Sequence, residues 1–134
     1  VGWQTGYLMA TVLDIVDNGV QVAILDTSAE AHMPDTLAMP YRADIRDAGV
    51  KNEKKHSYRF AGNTCLAGDI IGDYSFDTPL SIGDKIVLED MIHYTMVKTT
   101  TFNGIKLPSI AIKRDGGYHI VNNYGYTDYK NRLS

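Results

Sequence analysis

A mainly β fold, an antiparallel Greek-key-like barrel with one or two short helices, is what this sequence predicts, and three observations predict it. Short runs rich in Val, Ile, Tyr and Thr recur between Gly, Asn and Asp clusters along all 134 residues. Two pairs of such runs flank turn sequences that favour hairpins, "DNG" at Asp17 to Gly19 and "RDGG" at Arg114 to Gly117. Helix-forming patterns are confined to two brief stretches.

The elements follow in order. "YLMATVLDIV" (Tyr7 to Val16) and "VQVAILD" (Val20 to Asp26) form the first hairpin, because Asn and Gly tolerate positive φ at the turn. "AEAHMPDTLAM" (Ala29 to Met39) holds a helical turn, and Pro34 stops a long helix there. "RADIRDAGVKNEKKH" (Arg42 to His56) is polar and charged and reads as a surface excursion. "KHSYRFAG" (Lys55 to Gly62) alternates as a strand, and "FAGNTCLAGDIIGDYSF" (Phe60 to Phe76) reads as a turn-rich loop. "PLSIGDKIVLED" (Pro79 to Asp90) is a turn feeding a buried strand. "SIAIK" and "YHIV" form the second hairpin, and "TDYKNRLS" closes the chain as a short helix with Thr127 as its cap and a basic last turn. Six or more short strands at this spacing make a barrel or sandwich of one domain, residues 1–134.

Composition narrows the function classes. Apolar residues make up 44% of the chain and the net charge is only -3, so burial offsets chain entropy without disulfides or metal clips. The mildly acidic balance argues against nucleic acid, and no apolar run reaches the ~20 residues of a membrane span. A single cysteine and no leader pattern make the cytoplasm the simplest compartment. The chain opens "VGWQTGYLMATV" without Met, as a piece of something longer, incomplete at its N-terminal side. His32, His56, His93 and His119 lack the spacing that converges ligands, so no metal is expected. No strained Gly-x-Ser-x-Gly turn and no phosphate-cradling glycine loop are present.

Three segments carry candidate chemistry. Cys65, in "GNTCLAGD", is either a small buried hydrophobe or a thiol presented by a loop, with Asp69 as an ionisable neighbour. Asp26, Glu30, His32 and Asp35 crowd ten positions, as a solvated loop or as the acidic wall of a site for a cation, with Pro34 fixing the backbone ahead of Asp35. Tyr94, before the "FNG" turn, either packs in the core or faces a phosphate or polar ligand. Spacing leaves each pair of readings open.

"CLAGD" (Cys65 to Asp69), "IGD" (Ile82 to Asp84) and "HYTMVKTTTFNG" (His93 to Gly104), in that order, resemble the C-terminal β-barrel domain of the fold-type III pyridoxal-phosphate decarboxylases, the group of ornithine and diaminopimelate decarboxylases. "ILDTSAEAHMPD", "TCLAGDIIGDYSFD" and "TTTFNGI" are most similar to the branch acting on carboxynorspermidine and carboxyspermidine. The resemblance implies a homodimeric two-domain enzyme with shared active sites, whose Schiff-base lysine for pyridoxal 5'-phosphate lies in a (β/α)8 barrel absent from this chain. The fragment alone is then expected to be inactive.

Carried over position by position, the resemblance makes Cys65 the catalytic thiol that reaches cofactor and substrate across the dimer interface. It makes Tyr94 a contact to the cofactor phosphate and Asp69 the residue that closes the cysteine loop. Asp35 is assigned to the substrate amine, with His32 and Asp26 as neighbours. Ornithine and diaminopimelate decarboxylases usually carry an acidic residue directly after the cysteine, whereas this chain has Leu66. The distal amine must then find its carboxylate elsewhere, which fits a carboxylated polyamine. Decarboxylation of another basic amino acid by the same fold, or a non-catalytic β-barrel binding module, are the alternative readings.

Overall fold

The computed structural model describes residues 4–134. The first hairpin is formed by β1 (Leu8–Asp17) and β2 (Gln21–Leu25), paired out to Asp17 opposite Gln21. Its three-residue loop needs a left-handed position, which Gly19 supplies at φ 76°, and the Asp17 carboxylate accepts the Gly19 N–H at 3.1 Å.

The next stretch is split into single helical turns, α1 (Ala29–His32) and α2 (Asp35–Ala38), on either side of Pro34. Pro34 has no N–H to continue α1 but suits the start of α2. Ser28 caps α1 by accepting the Ala31 N–H at 3.1 Å. Four strands follow: β3 (Gly49–Val50), β4 (His56–Ala61), β5 (Ile70–Phe76) and β6 (Lys85–Leu88).

These strands form a curled six-stranded sheet in the order β3-β5-β4-β2-β1-β6. Its pairings are antiparallel except that β2 runs parallel to β4, a crossover spanned by α1, α2 and β3. The expected barrel-like β architecture therefore holds, with one parallel contact that periodicity does not reveal.

The polar stretch Arg42 to His56 is more than a surface excursion. Ala43 and Ile45 are buried, and the Arg46 N–H donates to the Val87 carbonyl at 3.0 Å while the Glu89 N–H donates to that of Asp44 at 2.8 Å. The same stretch then enters β3 on the free edge of β5. One connection thus laces both open edges of the curled sheet, which satisfies backbone groups that an edge leaves bare.

The expected loop through Phe76 is also corrected: it ends at Asp69, and Ile70–Phe76 is strand β5. Tyr74 and Phe76 point inward from β5 to meet Phe60 of β4, with ring centroids 5.4 and 6.0 Å apart. Around them lie Val12, Leu25, Met33 and Leu88, all almost fully buried. Each such side chain contributes roughly 1.5–3 kcal/mol by leaving water. The Tyr74 hydroxyl donates to the Ala43 carbonyl at 2.6 Å, and burial pushes its pKa up to about 12.

The second hairpin, β7 (Ile110–Arg114) and β8 (Gly117–Asn122), turns through Asp115 and Gly116, both with positive φ. Two consecutive left-handed residues are the type I′ geometry expected of Asp-Gly. Helix α4 (Tyr126–Leu133) begins two residues earlier than a Thr127 cap implies, with the Gly125 N–H donating to Asp128 Oδ2 at 2.7 Å at its start. No helix among the described residues is long and apolar enough to cross a membrane.

Candidate functional site

Three connections gather at one end of the sheet: the link from Asp26 to Tyr41 after β2, the loop Gly62 to Asp69 between β4 and β5, and the stretch Glu89 to Lys106 after β6. That last stretch holds a further helical turn, α3 (Tyr94–Val97), and a 3-10 turn at Phe102–Gly104. Side chains bind the three together.

Asp69 is the main tie. Its carboxylate is buried and accepts the Ala29 N–H at 2.7 Å, the Glu30 N–H at 3.4 Å, the Thr64 N–H at 3.2 Å and the Thr64 hydroxyl at 2.5 Å. It sits where the unpaired N–H groups of α1 begin, so a carboxylate there satisfies donors that the helical turn cannot. Gly62 makes room for it, since a Cβ on Gly62 would lie 2.2 Å from Asp69 Oδ2. In this geometry Asp69 ties the loop to α1.

Cys65 stands exposed on that loop, which removes the buried-filler reading. Its sulfur accepts a hydrogen bond from Asn103 Nδ2 at 2.8 Å. Asn103 is held at φ 57° in the "FNG" turn, a left-handed conformation that Asn tolerates better than most residues. The turn therefore aims its amide at the thiol. Leu66, beside Cys65, is 38% exposed and offers an apolar surface next to the sulfur.

His32 is buried, and both ring nitrogens are taken. Nε2 meets the Lys106 carbonyl at 3.0 Å, so it must be the donor; Nδ1 then accepts from the Thr27 hydroxyl at 2.8 Å. Burial lowers its pKa below 6.5, partly offset by the Lys106 carbonyl and by the charges of Asp69 and Asp26. The Thr100 N–H donates to the Ala31 carbonyl at 2.8 Å beside it. In this geometry His32 staples the Glu89 to Lys106 stretch onto α1 and has no nitrogen left for a ligand. Asp26 is likewise engaged, its Oδ1 accepting the Thr11 N–H at 2.7 Å.

Asp35 is different. Its Oδ2 accepts the Tyr41 hydroxyl at 2.6 Å and the Thr95 hydroxyl at 2.9 Å, while Oδ1 is buried with no hydrogen-bond partner among the described residues. A buried carboxylate oxygen without a donor is costly, and such atoms mark places where a missing donor belongs. Burial and the Asp35 hydrogen bond both raise the Tyr41 pKa, which keeps its hydroxyl a donor.

Thr95 also connects Asp35 to Tyr94, the neighbouring residue in α3. Tyr94 is 68% exposed, so it does not pack in the core, and the Lys98 ammonium lies 5.1 Å from its ring centroid. A phenol and a cation on one open surface form a donor set that suits the outer oxygens of a phosphate. Asp73, close to the cysteine loop in sequence, lies apart chemically: Arg59 holds it through two hydrogen bonds of 2.8 and 3.0 Å and lowers its carboxyl pKa. Tyr41, Thr95 and Asn103 are the site residues that sequence reasoning missed. Only the "FNG" turn left a trace, as an expected sharp bend at Asn103.

Comparison with known proteins finds relatives along nearly the whole chain. The family model described as the C-terminal sheet domain of pyridoxal-dependent decarboxylases matches residues 4–92, stopping two residues before Tyr94. A carboxyaminopropylagmatine decarboxylase of Synechocystis sp. is 50% identical over 135 residues, which cover 99% of this chain and 35% of that protein. A carboxynorspermidine/carboxyspermidine decarboxylase of Campylobacter jejuni is 50% identical over 144 residues, covering 98% of this chain and 38% of that protein. The crystal structure of carboxynorspermidine decarboxylase complexed with norspermidine, from Campylobacter jejuni, superposes with a TM-score of 0.93 at 48% identity, covering 98% of this chain and 39% of that one. This chain thus spans little more than a third of the length of these relatives.

Proposed function

The chain belongs to the pyridoxal-dependent decarboxylase family, as a C-terminal sheet domain, and from that premise we propose that it serves an enzyme releasing CO2 from carboxynorspermidine or carboxyspermidine to give norspermidine or spermidine. Residues 1–134 are then the β domain of a cytoplasmic two-domain homodimer, and the lysine that holds the cofactor lies in a (β/α)8 barrel outside this chain. What supports the reading most is the likeness to the norspermidine-bound carboxynorspermidine decarboxylase of Campylobacter jejuni, at 48% identity and a TM-score of 0.93. Asp35, held in place by the Tyr41 and Thr95 hydroxyls, is the carboxylate we assign to the distal ammonium group of the substrate.

Pyridoxal phosphate, when bound, supplies the electron sink for the bond pair left at Cα as CO2 departs. Exposed Tyr94, with the Lys98 ammonium 5.1 Å from its ring centroid, would offer a hydroxyl and a cation to the phosphate oxygens. Asp35 binds the distal ammonium and so fixes the substrate chain lengthwise, which lowers the entropic cost of alignment. Cys65 then gives its Sγ proton to Cα; the new C–H bond replaces the broken C–CO2 bond, and the thiolate recovers a proton from water. Asn103 steadies the sulfur through this exchange. Leu66 excludes a competing carboxylate from beside the thiol, which suits a substrate whose cationic end reaches further, to Asp35.

Replacing Asp35 by Asn in the full-length enzyme tests the reading. The KM for carboxynorspermidine should rise about tenfold or more, the scale of one charge-assisted contact. An unchanged KM would remove Asp35 from substrate binding.

A further inference from the structure

We infer that His32 is a positioning residue for the proton donor: it fixes the turn that carries Asn103, and through the Asn103 amide it sets the direction of the Cys65 thiol. The inference rests on Cys65 being that donor and goes beyond it by naming the buried group that keeps the thiol in line. His32 acts at a distance, because both of its ring nitrogens are engaged within the chain.

Cys65 and Asn103 are both exposed, on two different connections. A single hydrogen bond at the surface, exchanged against water, is too weak to hold two loops in register. The register is set from beneath, by the stretch Thr27 to His32, of which Thr27, Ser28, Ala29, Ala31 and His32 are buried. That stretch grips the cysteine loop on one side. The Asn63 N–H donates to the Thr27 carbonyl at 3.2 Å, and Asp69 joins Thr64, the neighbour of Cys65, to the Ala29 N–H.

On the other side it grips the Asn103 turn at both ends. Before the turn the Thr100 N–H donates to the Ala31 carbonyl at 2.8 Å, and after it His32 Nε2 donates to the Lys106 carbonyl at 3.0 Å. Between these points the turn is braced by its own bonds, from the Gly104 N–H to Thr101 at 2.8 Å and from the Ile105 N–H to Phe102 at 3.2 Å. Removing the His32 donor leaves the Lys106 end without its tie to α1. Thr27 makes His32 fit for the task, since its hydroxyl meets Nδ1 at 2.8 Å and so keeps the ring proton on Nε2. Burial lowers the pKa of the ring below 6.5, which preserves this neutral form at neutral pH.

The test measures kcat and KM for carboxynorspermidine in the full-length enzyme and in its His32→Leu, His32→Gln, Thr27→Val, Asn103→Gly and Cys65→Ala variants. His32→Leu should lower kcat by about tenfold and leave KM within about twofold, the pattern of a reacting group that loses its orientation after substrate is bound. His32→Gln, whose amide can still donate to Lys106, should recover most of that loss. Adding Asn103→Gly to His32→Leu should lower kcat little further, whereas two independent tenfold losses would multiply to about 100-fold. Thr27→Val keeps the side-chain shape and should lower kcat severalfold, again without multiplying with Asn103→Gly; it carries the comparison if His32→Leu does not fold. Parental kcat in folded His32→Leu, or in Thr27→Val where His32→Leu does not fold, overturns the inference. So does full multiplication with Asn103→Gly, which would make His32 a structural residue only. If Cys65→Ala keeps the parental turnover, the assignment of Cys65 itself fails and takes the inference with it.

Discussion

The Asn103 side-chain amide donates to the Cys65 sulfur at 2.8 Å across 38 positions of sequence. That contact joins the cysteine loop to the turn after α3, and it makes the direction of the thiol depend on a residue with no chemistry of its own. Asn103→Gly removes the amide yet keeps a residue that accepts φ 57°. In the full-length enzyme kcat should fall by about tenfold, as expected for a reacting group that loses its orientation, with a nearly unchanged melting temperature. A large loss of stability instead would make the contact chiefly structural.

Cys65→Ala should lower kcat by about 100-fold or more, within the usual range for losing a positioned proton donor. Because Cys65 is exposed and fills no core space, the unfolding midpoint of the variant should match that of the parent. Turnover at the parental rate would remove Cys65 from the mechanism.

Asp69→Asn leaves only one side-chain oxygen where the carboxylate now uses both, so at least one donor on α1 or Thr64 is left unsatisfied. The expected cost is about 1–3 kcal/mol in urea unfolding. Gly62→Ala should act in the same direction, because its Cβ would lie 2.2 Å from Asp69 Oδ2. If both variants unfold at the parental midpoint, Asp69 does not hold the loop.

His32 gives stability a pH dependence of definite sign. Its folded pKa is lowered from 6.5 by burial, so below that pH the unfolded chain takes up a proton that the folded chain resists. Its contribution to stability is complete above pH 6.5 and falls as the pH drops toward the folded value. Urea midpoints at pH 5.5 and 7.5 should show this slope in the parent and a smaller one in His32→Gln. Equal slopes would show that His32 is not the titrating group.

Local chemistry made part of this molecule legible. The hairpins were readable because Asn-Gly and Asp-Gly announce positive φ, and both Gly19 and the Asp115–Gly116 pair adopt it. Pro34 announced the break between α1 and α2. Strand β5 was hidden because Gly72 and Asp73 read as turn residues. In the structure Gly72 lies opposite Phe60 at φ 152°, with the Tyr74 ring where a Cβ would crowd it, and Asp73 pairs across to Arg59. Such a strand is specified by partners that are distant in sequence.

The site divides along the same line. Cys65, Asp35, Tyr94 and Asp69 could be picked out by residue type and motif, whereas Tyr41, Thr95 and Asn103 acquire meaning only when the fold brings them to Asp35 and Cys65. His32 was expected only as a neighbour of the residue that binds the substrate amine, and hydrogen bonds to Thr27 and Lys106 make it a staple instead.

The central claim, that this domain serves decarboxylation of a carboxylated polyamine, is tested most directly by steady-state rates of the full-length enzyme with carboxynorspermidine, ornithine and diaminopimelate. The account predicts that kcat/KM for carboxynorspermidine exceeds the other two by about 100-fold or more, the scale of discrimination by a site whose polar groups are matched to one substrate. Ornithine or diaminopimelate as the best substrate would contradict it.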